Sequence, residues 1–161
     1  VAVSLIVGTP FFIVFGALSD KIGRKPVVVS GLFLGAIFIY PSFRMLEKLG
    51  NTYIEIGSSS ALLGIFGILI FLAISLALVV GPQTALLAEF FPTKNRNSAA
   101  TLPHNLAAGW IGGTLPFTVT WLNHTFTNNF IGFWYLTFIL IATGLVAHRY
   151  LPETTNSNLL K

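Results

Sequence analysis

Gly16-Ala17-Leu18-Ser19-Asp20-Lys21-Ile22-Gly23-Arg24-Lys25-Pro26 is a compact charged loop between two apolar runs. Residues 1–19 and residues 26–43 contain no Asp, Glu, Lys or Arg. Each run is close to the ~20 residues that a helix needs to cross a bilayer core. Asp20, Lys21, Arg24 and Lys25 fall within six residues, with Gly at both ends of the loop. The stretch therefore reads as a very short turn between two membrane-spanning helices. Pro26 suits the first turn of the second helix, where its missing N–H is not needed.

Composition agrees. Apolar residues make up 54% of the 161-residue chain and charged residues only 9%, against about 25% charged in a soluble domain. So few charges could not cover a soluble core of this size. Cysteine is absent, which removes disulfides, thiolate metal sites and thiol nucleophiles. The net charge of +4 would suggest nucleic acid only if the basic residues formed a stripe. They sit at helix ends instead, as membrane orientation requires. No nucleic-acid partner is expected. The chain opens inside an apolar run without Met, a basic n-region or a cleavage site. It is expected to be a piece of a larger protein and not to carry a signal peptide.

The expected fold class is an all-α membrane protein with about five transmembrane helices. The spans are predicted at about 1–19, 26–43, 60–90, 98–122 and 130–150, followed by a polar, frayed tail at 152–161. Arg44 to Ser60 is expected as a polar connection. The charge-free run Ile56–Ala88 would reach roughly 50 Å as one helix. That helix is either tilted or starts a turn or more after Ile56. The cluster 123–129 separates the last two spans. Asn123-His124-Thr125 fits the glycosylation pattern and is read as chance.

Five crossings place Lys21, Arg24, Lys25, Lys94, Arg96, Arg149 and Lys161 on one side and only Arg44 and Lys48 on the other. The positive-inside rule makes the richer side cytoplasmic. The N-terminus of the chain is then outside and its C-terminus inside. Trp121, Tyr53, Trp134 and Tyr135 fall near predicted outer ends, as interfacial aromatics do.

The charged residues Asp20, Arg24, Glu89, Arg96 and Glu153 fall at the cytoplasmic ends, which avoids the cost of burial at the bilayer centre, about 3 kcal/mol. Roughly six residues join the third and fourth spans, so Glu89 and Arg96 can meet across Pro92. Glu89 at a helix C-terminus opposes the macrodipole and calls for a cationic partner. Arg24 is favoured because its planar fork can hold a carboxylate in two places.

Three spans carry a proline beside a polar residue: Thr9-Pro10, Pro82-Gln83-Thr84 and Pro103-His104-Asn105. Pro82 frees the carbonyl of Leu78 and Pro103 that of Ala99. Broken backbone of this kind is tolerated in lipid only where protein or a watery cavity faces it. Thr9, Gln83, His104 and Asn105 are therefore candidate pathway residues, with Trp110 as an aromatic wall. The competing reading is hydrogen bonding between helices. Gly31, Gly35, Gly64, Gly67, Gly109, Gly112 and Gly113 read as close-packing positions. No nucleophile–base pair, metal-ligand cluster or phosphate loop stands out, so neither an enzyme nor a cofactor is expected.

Gly16-x-x-Ser19-Asp20-Lys21-x-Gly23-Arg24-Lys25 resembles the loop signature of the major facilitator superfamily. Glu89-Phe90-Phe91-Pro92-Thr93-Lys94-Asn95-Arg96, preceded by Gly81-Pro82-Gln83, looks like the stretch joining helices 10 and 11 there. Pro152-Glu153-Thr154 looks like the motif after helix 12. The resemblance covers essentially the whole chain and makes the five spans helices 8 to 12. With Asn105-Leu106, Gly112-Gly113 and Leu115-Pro116, the chain is similar to the metabolite:proton symporter family, which takes up proline, betaine, shikimate, oxoglutarate and citrate. Two positions depart from that pattern: His104, where an aromatic is usual, and Ala99, where Gly is common.

The resemblance implies half of a secondary transporter in a bacterial inner membrane, with a small-molecule solute, a proton as coupling ion and the N-terminal half (helices 1–7) as partners. It implies a cytoplasmic charge network that holds one closed state: Arg24–Glu89–Arg96 with Glu153. Lys25 stands in the same motif, and Asp20 is expected to face the other half. The bland alternative is that these charges are solvated and only set topology. The spans hold no carboxylate at mid-depth, so a carboxylate proton carrier would lie in the N-terminal half. His104 is the one ionisable group within a cavity-lining span and is the candidate relay here. The alternatives are a non-transporting membrane fragment, or a sugar or drug transporter of the same superfamily.

Overall fold

The computed structural model describes residues 2–90, 101–102, 104–126 and 130–153. Helix α1 (Ala2–Ile22) and helix α2 (Arg24–Ile56) are separated by Gly23 alone, and α3 (Ser59–Phe90) follows. A π-helical turn, Ala107–Gly112, runs into α4 (Gly113–Thr125), and α5 (Ile131–Tyr150) completes the bundle. Among the described residues there is no strand, and α1, α2, α3 and α5 are each long and apolar enough to cross a membrane.

The connection expected at Arg44–Ser60 is mostly helix. α2 continues through it to Ile56, 33 residues in all, or about 50 Å. Its charged residues Glu47 and Lys48, and Met45, Leu46 and Leu49 beside them, are all good helix formers. Polarity ends a membrane span but does not end a helix. The terminator is Gly57, with φ 66° and its N–H bonded to the Tyr53 carbonyl at 2.9 Å, a left-handed cap that glycine adopts without strain. α3 begins only two residues later, at Ser59, and is 32 residues long.

Helices α1 and α3 run parallel along a seam of small residues. On α1 the seam is Ser4, Gly8 and Gly16; on α3 it is Ala73, Ala77 and Gly81, each four residues apart. A Cβ on Gly8 would lie 2.7 Å from the Ala73 Cβ, and one on Gly81 would lie 2.8 Å from the Phe12 carbonyl oxygen. Lipid supplies no hydrophobic drive between helices, so such close backbone contact is what holds them. α2 lies antiparallel to α3. There a Cβ on Gly31 would meet the Leu78 Cβ at 2.8 Å and the Leu78 carbonyl carbon at 3.2 Å. Pro82 is fully buried, and the carbonyl it frees on Leu78 is covered by α2 at the position with no side chain.

The packing glycines are therefore not the expected set. Gly31 qualifies. Gly64 faces only the flexible end of Leu49, Gly35 and Gly112 make ordinary contacts, and among the described residues Gly67, Gly109 and Gly113 have nothing within 4 Å of a Cβ. Gly8, Gly81 and Gly132 are the other close positions. The i, i+4 repeat of small residues marked the first two, whereas adjacent glycines did not mark contacts.

The end of the bundle away from the charged loop is closed by aromatic rings. Phe43 stacks on Phe133 at 4.3 Å, Tyr40 meets Trp134 at 5.0 Å, and the Arg44 guanidinium lies 4.8 Å above Phe130. Asn123 Oδ1 accepts the Gly132 N–H at 2.7 Å, which caps α5 and ties it to α4. The turn is held in this way through the side chain of the glycosylation-like triplet.

The seam yields a direct comparison. Gly81→Val should lower the stability of the detergent-purified chain by about 1–3 kcal/mol through overpacking. Gly113→Ala, with open space around it, should leave thermal unfolding almost unchanged.

Candidate functional site

Arg24 is the first residue of α2, and its side chain is only 9% exposed. Its Nη2 donates to Glu89 Oε1 at 3.0 Å, and Nε lies 3.3 and 3.4 Å from the two Glu89 oxygens. Nη1 donates to Ser19 Oγ at 2.6 Å and reaches the Gly16 carbonyl at 3.4 Å. It also pairs with Asp20 one turn back. Glu89 is 13% exposed, so this is a largely desolvated ion pair whose remaining donors are satisfied. Removing one partner of such a pair costs about 3–5 kcal/mol. Only a planar fork reaches all of these acceptors at once.

Glu153 acts on the same residue through the backbone. Its Oε1 accepts the Arg24 N–H at 2.8 Å and its Oε2 accepts the Lys25 N–H at 3.3 Å. The first N–H groups of a helix have no partner within it. Here Gly23 N–H bonds to the Ser19 carbonyl at 3.0 Å, Glu153 takes the next two, and Pro26 has none. Every donor of the turn is thus accounted for, and the carboxylate also meets the positive end of the α2 dipole. Gly23 makes the geometry feasible. It has φ 120°, and a Cβ there would lie 2.5 Å from Glu153 Oε2.

The structure thus brings Arg24, Glu89, Glu153 and Asp20 into one cluster from α1, α2, α3 and the end of α5. Lys25 joins through its N–H. Asp20, expected to face the other half, pairs with Arg24 because a single residue separates α1 from α2, and its side chain stays 59% exposed. Arg96 lies outside the described residues. Ser19 was not singled out from sequence. It is fully buried, donates to the Gly16 carbonyl at 2.7 Å and accepts from Arg24. The signal available was its position five residues before an arginine, with both in one charged turn.

The pathway candidates divide. Gln83 Nε2 and His104 Nδ1 approach to 3.4 Å across the gap between α3 and the segment leading into α4. Asn105 and Trp110 share an open groove of about 540 Å³ with Thr101, Leu102 and Leu106. Trp110 is 76% exposed and stands within the π turn, with its carbonyl bonded by the Thr114 hydroxyl at 2.8 Å. π turns are frequent at functional sites. Thr9 donates back to the Leu5 carbonyl at 2.8 Å, a bond within its own helix.

A bundle of long apolar helices with a desolvated ionic clasp at one end is the architecture of a multi-pass membrane protein. The sugar (and other) transporter family matches residues 1–161, and the chain belongs to that family, within the major facilitator superfamily. It is 31% identical over 147 residues to a glycine betaine/proline/ectoine/pipecolic acid transporter of Dickeya dadantii, covering 91% of this chain and 26% of that protein. It is 28% identical over 143 residues to a proline/betaine transporter of Escherichia coli, covering 89% and 26%. It is 28% identical over 137 residues to a citrate-proton symporter of Klebsiella pneumoniae, covering 84% and 28%. The resemblance to metabolite:proton symporters agrees with these relatives. The chain spans about a quarter of their length. No solved structure matches it. The chain is an integral membrane protein.

The cap generates a double-mutant test. Gly23→Ala and Glu153→Ala should each destabilise the charged end by about 1–2 kcal/mol. Combined, they should cost little more than Gly23→Ala alone, because that substitution already removes the Glu153 bond. Amide exchange at Arg24 and Lys25, followed by mass spectrometry, reads this out directly.

Proposed function

We propose that this chain forms helices 8 to 12 of a secondary active transporter in a bacterial inner membrane. The carrier takes up a small polar metabolite of the proline/betaine type together with a proton. The observation that carries this reading is the desolvated Arg24–Glu89 pair, tied to Glu153 across the ends of separate helices. A solvated loop that only set topology would have no need to bury an arginine. The charged end faces the cytoplasm. Its cluster, completed by Arg96, latches the inner end shut while the solute site opens outward, and it separates when the two halves rock about that site. Thr9, Gln83, His104, Asn105 and Trp110 line the path.

Support for the solute class comes from the relatives. Glycine betaine, proline, ectoine, pipecolic acid and citrate all carry a carboxylate, and the open groove offers an amide, a hydroxyl and an indole to such a molecule. The short coverage of those relatives favours a second statement. This chain transports only together with an N-terminal half, helices 1–7, and alone it is a membrane fragment without activity.

The latch is tested by Glu89→Gln in the complete carrier. Losing one charge from the buried pair should move the population toward the inward-open state by a factor of ten or more, since ~1.4 kcal/mol is tenfold. Cysteine labelling from each side of the membrane measures it, and equal labelling in mutant and parent refutes the latch. An uptake panel of betaine, proline, citrate, oxoglutarate, shikimate and glucose tests the solute class. Accumulation of glucose alone would select the sugar-transporter alternative.

A further inference from the structure

The segment leading into α4 carries an imidazole at His104, and its polar partner among the described residues is an uncharged amide on another helix. An amide nitrogen can only donate, so the 3.4 Å contact of Gln83 Nε2 with His104 Nδ1 is a hydrogen bond when Nδ1 accepts and the ring proton is on Nε2. This is the neutral ring. Protonation turns Nδ1 into a donor facing another donor, which breaks the contact. The amide of Gln83 must then rotate away. Among the described residues, no charged group is paired with this ring. On α3 the ionisable group is Glu89, six residues further on and held by Arg24. On α5 they are His148 and Arg149 in the last turn. Asp20 and Lys21 on α1 and Lys25 on α2 sit at the charged end, and His124 lies at the far end of α4.

An imidazolium in that gap has no anion paired with it among the described residues, and the solute carries one. We infer that protonated His104 is the binding site for the carboxylate of the solute, with Gln83 as the group that holds the ring when the site is empty. The inference rests on the transporter reading above. One proton enters from the outer solution and adds to Nδ1. The Gln83–His104 bond breaks, and the carboxylate accepts an N–H of the ring. Ring and carboxylate neutralise each other, so neither is left as a lone charge at depth, and the net charge of the loaded site is that of the rest of the solute. At the inner side the carboxylate leaves, the proton leaves Nδ1, and the Gln83 bond re-forms. One proton and one carboxylate are moved per turn. Histidine suits this role because its ordinary titration falls between about pH 5 and 8.

The test measures KM for proline and betaine in the complete carrier, reconstituted in liposomes, at acid and alkaline pH. The parent protein should show a KM roughly 10- to 100-fold lower at about pH 5.5 than at about pH 8, the worth of a charge-assisted hydrogen bond. His104→Gln should be flat with pH, near the alkaline value of the parent. His104→Arg carries a fixed cation. It should bind both solutes equally at the two pH values but turn over at least tenfold more slowly, and its binding shows that the fold tolerates substitution at this position. A His104→Gln carrier that keeps the pH ratio of the parent overturns the inference and leaves the transporter reading standing. A parent carrier that accumulates neither solute overturns both.

Discussion

One buried arginine organises the charged end of this protein. Arg24 can lose its water only because Glu89, Ser19, Asp20 and the Gly16 carbonyl replace it, and each comes from a fixed place on α1 or α3. The short turn at Gly23 brings α1 and the start of α2 close enough to surround one guanidinium. The small-residue seam between α1 and α3 then fixes where Glu89 arrives. A bulkier seam would move the carboxylate outward by the width of a side chain and leave a charge unpaired. Packing within the bundle and electrostatics at its end are therefore one constraint.

Glu153 adds a second level of control. It does not need to touch the guanidinium to affect it, since it holds the backbone from which that side chain springs. The end of α5 thus senses whether α2 is in register. Glycine at position 23 serves two requirements together, a positive φ and room for a carboxylate oxygen. An alanine would satisfy neither. At the other end of the bundle, ring stacking and the Asn123 cap join α2, α4 and α5 without ionic pairs of this kind. The ionic end can open by exchanging partners with water.

Much of this was legible in the residues. The charged turn, the apolar runs and the motif matches placed the helices and brought Arg24, Glu89 and Glu153 to one end. The length of α2 was not legible, because Arg44 to Ile56 is polar and a span ends where polarity begins even if the helix does not. Close-packing positions were misplaced for a similar reason. A glycine in a sequence does not state which face its neighbours occupy, and only a repeat at four residues, as at Ala73, Ala77 and Gly81, does so. Ser19 was hidden because a serine in a charged turn looks solvated. Its burial depends on an arginine folding back over it.

The separation of Arg24 and Glu153 along the chain has a consequence for how the protein is made. The two residues lie 129 positions apart, and Glu153 follows the last span described. While the ribosome is still producing α3, α4 and α5, the first turn of α2 has no cap. The charged end therefore acquires its final geometry only when α5 is in place. A chain that stops before residue 153 could insert its earlier spans and still leave that turn uncapped. The closing contact thus reports that the preceding helices have been completed.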